Sequence, residues 1–463
     1  MEFKYLKKTP LYKAFSELGK RIFVPEGIFY YSNRAKKEAE INGTIGTAYG
    51  FEKDFIDSGT NEWVPCYLDG IKSYIGNAHV KDFVPYAPIG GVQDLRELWK
   101  EWIVKKSLLD ENENTNKEQV ARLRKYITLP IITAGVTNGI YVACALFLNP
   151  NEYIIAPNRR WENYDTIIEK YLGARIKSFE FFSENKINLK ALKEVIEEVA
   201  QLQNKIVIIL NFPNNPTGYI PKVEEVNDIV NLLKEMYYVT KKPMIIIVDD
   251  AYEPYVYEEN VLDKSLFYEL HNLDEDIIPI KLDGITKELL LYGARIGFFT
   301  IGLKPNWIKN DSELDGLKSE ILNKLEGMNR GTISNCNMFF QNVTLKIFKE
   351  RGTDKIIAAR NKVNEILKLR YEKINSEFNK IENPDISVDP NSGGFFIFVN
   401  LNPNKIKATE FADHLLKKYK VGIIPFQNLE DNVNGIRIAY CSIDIKQIPD
   451  FVSRINQALN DFS

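Results

Sequence analysis

Cysteine and histidine are scarce in this sequence of 463 residues. Its four cysteines, Cys66, Cys144, Cys336 and Cys441, stand far apart and form no CxxC pair. Cysteines scattered in this way are typical of reduced, mostly buried thiols, so we expect an intracellular, cytoplasmic protein. The three histidines are scattered as well, and we therefore expect no metal site.

An excess of charge of one sign is also missing. Sixty Lys and Arg residues stand against 63 Asp and Glu residues, which gives a formal net charge of −3. Nucleic-acid-binding proteins usually carry a basic surplus, so we expect no nucleic-acid partner. A few arginines inside a pocket would hardly change this total, and a small acidic ligand therefore stays open.

Apolar segments with the features of a leader or a membrane span are missing too. The N-terminal sequence MEFKYLKKTPLYKAF is charged and has no apolar core, so no signal peptide is predicted. Residues 126–151 carry no charge, but prolines and polar residues divide them into a strand, a turn and a short apolar helix. We interpret this stretch as buried and expect no membrane contact.

Helix-like and strand-like segments alternate from about residue 90. GVQDLRELWKEWIVKKSLL has apolar residues at helical spacing, and Ile- and Val-rich runs follow at 126–133, 153–157, 206–212 and 244–252. LLLYGARIGFFTI is interpreted as a further strand, which contains Arg295. This alternation predicts an α/β protein with a mostly parallel sheet flanked by helices.

The last third of the chain has a different pattern. A long charged helix, ARNKVNEILKLRYEKINSEFNKIEN, precedes the alternating segments FFIFVNL and GIRIAYC and a last helix from about residue 445. This order predicts a smaller α+β domain. We expect an N-terminal arm and part of the small domain at 1–55, a large domain at 56–335, and the rest of the small domain at 336–463.

Polar groups follow several of the predicted strands. The irregular loop NFPNNPTGYIP comes after one strand, Asp249 and Asp250 end the next, and Lys287 lies in apolar surroundings eight positions before Arg295. Ligands of α/β proteins bind at the carboxyl ends of strands, so these groups are expected to converge. Taken singly, they are also typical of a surface turn, a helix N-cap and a solvated lysine; their order and spacing together favour a functional site.

Three motifs resemble those of the class I and II aminotransferases, in the same order. They are N-P-T-G at 215–218, D-x-A-Y at 249–252, and T-K followed by G-x-R-x-G at 286–297. The resemblance covers nearly the whole chain and is greatest for the aspartate and aromatic enzymes. It implies the fold of the PLP-dependent transferases, the cofactor pyridoxal 5'-phosphate and a homodimer. It also implies exchange of an amino group between an L-amino acid, aspartate or an aromatic one, and a 2-keto acid such as 2-oxoglutarate.

The resemblance further implies roles for individual residues. Lys287 would form the Schiff base and carry the proton, Asp249 would bind the ring nitrogen, and Asn215 and Tyr252 the phenolic oxygen. Gly135, Val136, Thr137, Thr286 and Arg295 would bind the phosphate, with Trp161 on the ring face and Tyr86 reaching the site of the neighbouring subunit. The substrate contacts would be Ile45, Gly46, Trp161, Asn215, Arg330 and Arg437.

Elementary chemistry supports several of these roles. A desolvated lysine beside cationic groups has a lowered pKa and can attack an aldehyde. A carboxylate keeps the ring nitrogen of the cofactor protonated. Arg437 would bind the substrate α-carboxylate with two hydrogen bonds and so fix the orientation of the substrate. Arg330 would contact the substrate side chain and so favour dicarboxylates.

Two positions depart from the family pattern. Gly284 stands where a phosphate-binding Ser or Thr is usual, and Asn335-Cys336 stand where prolines commonly follow the Ser-Asn pair. Three alternatives stay open: a PLP-dependent lyase on the same fold, a non-catalytic regulator, and a nucleotide-binding α/β enzyme. The regulators carry an N-terminal DNA-binding module, for which the first 40 residues are too short. A nucleotide-binding enzyme would need a GxGxxG or GxxxxGK[ST] loop, and the sequence has neither.

Overall fold

The computed structural model describes residues 8, 12, 14–22, 27–108 and 117–462. Most of the N-terminal sequence from which the absence of a signal peptide was predicted lies outside these ranges. So do parts of the predicted N-terminal arm. Within the described ranges, no helix combines the length and the apolar character needed to cross a bilayer.

Seventeen strands are present in these ranges, most of them short. In chain order they are β1 (Ile41–Asn42), β2 (Tyr49–Phe51), β3 (Trp63–Pro65), β4 (Ile131–Thr133), β5 (Tyr153–Pro157), β6 (Arg175–Phe179), β7 (Phe182–Ser183), β8 (Lys186–Ile187), β9 (Ile206–Asn211), β10 (Met244–Asp249), β11 (Ile277–Gly284), β12 (Gly297–Ile301), β13 (Ile386–Val388), β14 (Ile397–Leu401), β15 (Val421–Gly422), β16 (Ile424–Asn428) and β17 (Val433–Ile438).

Helices fill most of the remaining described chain. The α-helices are Glu17–Arg21, Ile28–Glu38, Glu52–Phe55, Ile71–Gly76, Gln93–Lys106, Lys117–Tyr126, Val136–Phe147, Asn163–Asp165, Leu189–Leu202, Val223–Thr240, Leu266–His271, Ile285–Glu288, Asp311–Thr332, Met338–Arg351, Thr353–Phe378, Ala408–Tyr419 and Ile448–Asn460. The 3₁₀ turns are Val80–Asp82, Tyr292–Ala294, Pro305–Trp307 and Tyr440–Ser442, and Thr166–Leu172 is a π-helix.

A seven-stranded sheet with the order β4-β12-β11-β10-β9-β5-β6 is the centre of the fold. Every pairing from β11 to β6 is parallel, and β12 alone runs against both of its neighbours. All six residues of β9 and all six of β10 are buried, as expected where helices cover both faces of a parallel sheet. Ile208 and Ile209, adjacent in β9, belong to the hydrophobic clusters on opposite faces. The predicted α/β fold class is confirmed.

A second, antiparallel sheet with the order β13-β14-β17-β16 forms the smaller part of the molecule. Helices Thr353–Phe378, Ala408–Tyr419 and Ile448–Asn460 accompany it. The short strand β1 pairs in parallel with β15, so that Ile41 lies beside Val421. The N-terminal segment is thereby joined to the C-terminal part of the chain. The exact division at 55/56 and 335/336 stays a prediction.

Two sequence-based strand assignments were too long. Of residues 126–133, only β4 is a strand, and Ile127 makes a single bridge to Gly302, because Pro130 has no N–H to continue the ladder. The predicted strand containing Arg295 is wrong in its first half. Residues 289–296 are turns, Arg295 has a left-handed φ of 56°, and β12 begins at Gly297. Arg295 therefore stands before the strand and not inside it.

Candidate active site

A cavity of about 600 Å³ opens at the carboxyl ends of β9, β10 and β11. This is the edge of an α/β sheet at which ligands bind. Its lining comes from the large sheet, the small sheet and the N-terminal helix. The lining residues are Ile28, Ser32, Asn33, Lys36, Thr44, Ile45, Gly46, Thr47, Val136, Thr137, Trp161, Asn211, Asn215, Asp249, Ala251, Tyr252, Gly284, Thr286, Lys287, Tyr292, Arg295, Phe396 and Arg437.

Asp249 is the last residue of β10 and, among the residues that the structure describes, the only acidic one in this lining. Its carboxylate accepts hydrogen bonds from the Tyr164 hydroxyl at 2.5 Å and from the Ala251 amide at 3.1 Å. Burial raises the pKa of Asp249, and these two hydrogen bonds lower it. The carboxylate is thus held in a fixed orientation, where it can pair with a cationic group of a ligand.

Lys287 lies in the one-turn helix Ile285–Glu288, directly after β11. Its amine stands 5.2 Å from the centre of the Tyr252 ring and 5.9 Å from that of Tyr292. Burial and the guanidinium of Arg295 lower the pKa of Lys287 to about 8, although Asp249 opposes the shift. A lysine amine with such a pKa is partly neutral near physiological pH and can act as a nucleophile.

The N-terminus of helix Val136–Phe147 and Arg295 form one end of the cavity. Gly135, the residue before this helix, has a φ of 78°, and a Cβ there would lie 2.5 Å from Nη2 of Arg295. Free backbone amides at a helix N-terminus and an arginine are the groups that bind a phosphate. Val136, Thr137 and Thr286 line the same cavity.

Gly284 has a steric reason to be glycine. A Cβ at this position would lie 2.8 Å from the carbonyl oxygen of Ile296 and 3.0 Å from Cα of Gly297. The Ser or Thr that the family pattern places here would not fit between β11 and the start of β12. A hydroxyl near this end of the cavity must therefore come from Thr137 or Thr286.

Arg437 enters the cavity from β17 and is only 3% exposed. Its guanidinium lies over the ring of Phe396 at 4.3 Å and donates hydrogen bonds to Oδ1 of Asn215 and the carbonyl of Thr44, both at 3.1 Å. Nε of Arg437 has no hydrogen-bond partner among the described residues, although it is buried. Burial lowers the pKa of this arginine. An arginine in this state is suited to binding a carboxylate of a ligand.

The remaining predicted contacts fall into two groups. Trp161, Ile45 and Gly46 line the cavity, and Trp161 meets the ring of Tyr164 edge to face at 5.7 Å. Tyr86 and Arg330 do not reach the cavity of their own chain. Tyr86 is 90% exposed, and Arg330 is exposed at the end of helix Asp311–Thr332, where it donates to the Ser334 hydroxyl at 2.6 Å.

Several residues of the site were missed by sequence analysis. Tyr164 orients Asp249, Asn211 accepts the amide of Asn215 at 2.7 Å, and Phe396 lies under Arg437. Tyr164 stands three residues after Trp161 in RRWENY, and Asn211 ends the run IVIILN, so a search of strand ends and flanking aromatics would have found both. No motif marks Ser32, Asn33 and Lys36 of the N-terminal helix.

The residues around the cavity fit pyridoxal phosphate. Among the described residues of the lining, four cationic side chains face a single carboxylate, which favours a ligand that brings negative charge with it. The lining also offers an amine of lowered pKa for an aldehyde and Asp249 for a protonated ring nitrogen. The buried, unpartnered Nε of Arg437 points to an anionic ligand at the opposite end.

The family model of the aminotransferases of class I and II matches residues 86–455. An aspartate aminotransferase of Pyrococcus horikoshii is 24% identical over 394 residues, which cover 84% of this chain and 86% of that protein. The aromatic-amino-acid aminotransferase 2 of Thermococcus litoralis is 23% identical over 429 residues, 91% of this chain and 96% of that protein.

Solved structures show the same fold. An aminotransferase from Anaerococcus prevotii superposes with a TM-score of 0.77 at 23% identity, covering 96% of this chain and 98% of that chain. The kynurenine aminotransferase of Pyrococcus horikoshii, solved in complex with PMP, gives a TM-score of 0.73 at 18% identity and covers 98% of both chains.

Proposed function

The chain belongs to the family of class I and II aminotransferases and is a PLP-dependent transaminase, and from this premise we propose that it exchanges the amino group of an acidic or aromatic L-amino acid with 2-oxoglutarate. The observation that carries the proposal is the convergence of Lys287, Asp249 and Arg437 on one cavity at the carboxyl ends of the strands. Each of the three offers a different group: an amine, a carboxylate and a guanidinium.

Lys287 is proposed to hold the cofactor and to move the proton. Bound pyridoxal phosphate supplies an aldehyde that takes up the amino group and a ring that accepts electrons. With its pKa lowered to about 8, the Lys287 amine is neutral in a useful fraction of molecules at neutral pH. Once released by an incoming amino acid, Nζ of Lys287 remains in the cavity and can transfer a proton to and from the substrate Cα.

Asp249, Asn215 and Tyr252 are proposed to contact the ring of the cofactor. A protonated ring nitrogen beside Asp249 would offset the cost of burying this carboxylate, which otherwise raises its pKa. The amide of Asn215 and the hydroxyl of Tyr252 line the same cavity and are the candidate partners of the phenolic oxygen. Trp161 is the candidate for stacking on the ring face.

Gly135, Val136, Thr137, Thr286 and Arg295 are proposed to bind the phosphate. The helix that begins at Val136 directs free N–H groups towards this end of the cavity, and Arg295 adds a positive charge. At the other end, Arg437 is proposed to bind the substrate α-carboxylate, with Ile45 and Gly46 covering the substrate. This arrangement fixes which bond of the substrate Cα can break.

The choice of substrates is supported by the relatives and by the charge of the cavity. The similar proteins named above are an aspartate, an aromatic amino acid and a kynurenine aminotransferase. Four cationic side chains in the lining suit dicarboxylates, and 2-oxoglutarate is one. Ile28, Ile45, Tyr292 and Phe396 provide apolar contacts for an aromatic side chain.

A homodimer is proposed as the working form, in the cytoplasm. Apolar side chains are exposed along residues 80–89: Tyr86 is 90% exposed and Val84 is 67% exposed. An apolar segment of this kind is typical of a protein interface, and a second copy would cover it. Tyr86 would then contact the cofactor phosphate of the neighbouring subunit. The four buried free cysteines suit a reducing compartment.

An absorbance spectrum of the purified protein with pyridoxal phosphate tests the proposal. We expect a visible band from the lysine-bound cofactor, loss of this band on addition of aspartate, glutamate or phenylalanine, and its return with 2-oxoglutarate. The variant Lys287→Ala should show no such band. Release of ammonia, with the band returning in the absence of any keto acid, would indicate a lyase instead, and a protein without any band would overturn the assignment of Lys287.

A further inference from the structure

The N-terminal helix Ile28–Glu38 forms one wall of the active-site cavity. Ile28, Ser32 and Lys36 are spaced by four residues and therefore lie on one face of this helix. These three residues and Asn33 all line the cavity. The helix thus presents a hydroxyl, an amide and an ammonium group on the side where a substrate would lie.

Contacts on its other sides fix the rotation of this helix. Arg34 forms ion pairs with Asp413 and with Glu38, on the side away from the cavity. Ala35 is buried and packs against Gly422 in β15. The backbone N–H of Ile28 donates to the carboxylate of Glu162 at 3.3 Å. The face that carries Lys36 is therefore held towards the cavity.

Lys36 is the cationic side chain of the lining for which the proposed function has no partner. Lys287 has the cofactor aldehyde, Arg295 the phosphate and Arg437 the α-carboxylate. Lys36 forms no ion pair with any residue in the described part of the chain, in contrast to Arg34 on the same helix. Asp249, the one acidic residue in the described part of the lining, is held by Tyr164 and Ala251.

We infer that Lys36 binds the distal carboxylate of a dicarboxylic amino acid or keto acid, an inference that rests on the proposed function. The ammonium group supplies three N–H donors on a flexible stem, and a charge-assisted hydrogen bond to a carboxylate is stronger than a neutral one. Ser32 and Asn33 stand beside it as further donors. Lys36 is exposed, so its side chain can turn to solvent when an aromatic side chain occupies the cavity.

Lys36 thus takes the role that the sequence assigned to Arg330, the binding of the distal carboxylate. Arg330 lies outside the cavity of its own chain and is bound to Ser334. An Arg330 contribution would require the neighbouring subunit, whereas Lys36 reaches the cavity from within the same chain. Single variants of Lys36 and of Arg330 distinguish the two assignments.

Binding of unreactive substrate analogues tests the inference. Glutarate carries two carboxylates, and 3-phenylpropionate carries one that Arg437 can bind. In the holoenzyme, Lys36→Ala and Lys36→Gln should weaken glutarate binding about tenfold to a hundredfold, the range expected for a lost charge-assisted hydrogen bond. The ratio of the glutarate to the 3-phenylpropionate dissociation constant should rise at least about tenfold. Lys37→Ala is the matched control, because Lys37 is exposed on the same helix but does not line the cavity.

The reaction of the holoenzyme with an amino acid alone, without a keto acid, gives a second measurement. After mixing with excess amino acid, the loss of the cofactor band should slow far more for glutamate than for phenylalanine in both Lys36 variants. Equal effects of Lys36→Ala and Lys37→Ala would overturn the inference, and so would a selective loss of glutarate binding in Arg330→Ala but not in Lys36→Ala. A wild-type enzyme that forms the band but does not respond to any amino acid would instead overturn the proposed function.

Discussion

The hydroxyl of Tyr164 donates a hydrogen bond of 2.5 Å to Oδ2 of Asp249, at the end of a central strand of the seven-stranded sheet. Both side chains are buried, and Tyr164 comes from the helical segment after β5 while Asp249 ends β10. Burial alone would favour the protonated form of Asp249, and this hydrogen bond favours the ionised form. Tyr164 therefore supports the carboxylate that the proposed mechanism needs.

Replacing Tyr164 with phenylalanine removes this hydrogen bond and keeps the ring. We expect tighter proton binding by Asp249 and a loss of about tenfold or more in cofactor affinity, in line with the 1.5–3 kcal/mol of a hydrogen bond to a charged group. The cofactor affinity is measured from the dissociation of the cofactor, which is followed by absorbance. Tyr141→Phe serves as the control, because Tyr141 lies on helix Val136–Phe147 but does not line the cavity. Unchanged affinity in Tyr164→Phe would contradict the role given to Tyr164.

The pKa of Lys287 predicts how attachment of the cofactor depends on pH. Only the neutral amine attacks the aldehyde, so the rate constant should increase with pH and level off above a pKa of about 8. An ordinary lysine would still gain reactivity up to about pH 10.4. Rapid mixing of the cofactor-free chain with pyridoxal phosphate between about pH 6 and 10 records the profile, a window that spans the lowered and the ordinary lysine pKa.

Arg295 contributes to this lowered pKa, next in size after burial. The variant Arg295→Met should therefore shift the midpoint of the profile to higher pH. Pyridoxal without its phosphate is the probe for this comparison, since it separates the charge effect from phosphate binding. A midpoint that stays in place in Arg295→Met would show that burial alone sets the pKa of Lys287.

Gly135 is expected to tolerate no side chain. Its φ of 78° disfavours other residues, and an alanine Cβ would lie 2.5 Å from Nη2 of Arg295. Gly135→Ala should displace the guanidinium and weaken binding of pyridoxal phosphate by about tenfold or more, while binding of pyridoxal changes much less. Gly316→Ala is the control, since nothing lies within 4 Å of a Cβ there and alanine favours its helix. An equal loss for both ligands in Gly135→Ala would mean a general disruption of the cavity.

Sequence alone predicted the parts of the site that local motifs carry. Lys287, Asp249 and Asn215 follow strands whose apolar runs are evident, and parallel strands bring their carboxyl ends together. Arg295 lines the cavity together with these residues, but it was assigned to the wrong element. Its backbone is left-handed, and Gly284 and Gly297 approach each other closely just beyond it; hydrophobic periodicity reports neither feature.

Other parts of the site depend on contacts between distant segments. Lys36 precedes the motif at 215–218 by 179 residues. It reaches the cavity because β1 pairs with β15 and its helix packs against β15, β16 and helix Ala408–Tyr419. The position of Tyr164 beside Trp161 is visible in the sequence, but its hydrogen bond to Asp249, 85 residues away, is not. The roles expected for Tyr86 and Arg330 depend on the proposed second subunit, whose position a single sequence does not determine.

A buried network of charges lies directly behind the Lys287 turn and was not predicted at all. The ammonium of Lys106 stands 2.7 Å from Glu253 and 3.2 Å from both Asp283 and Glu288, in the place where three clustered carboxylates would hold a metal ion. Trp102 donates to Glu288 at 2.6 Å. Glu288 follows Lys287 in the chain, so this network anchors the turn that carries the amine.

Replacing Lys106 with methionine should cost about 3–5 kcal/mol in the free energy of unfolding, because it leaves three buried carboxylates with only Lys281 and Arg360 as counter-charges. Lys349→Met is the matched control: Lys349 also lies 2.7 Å from a carboxylate, that of Asp94, but both side chains are more than half exposed. A surface pair contributes about 0–1 kcal/mol. Urea unfolding of the holoenzyme variants measures both losses, and similar values would show that the network does not depend on its central ammonium. Because Glu288 anchors the turn, Lys106→Met should also lower the rate of cofactor attachment, which Lys349→Met leaves unchanged.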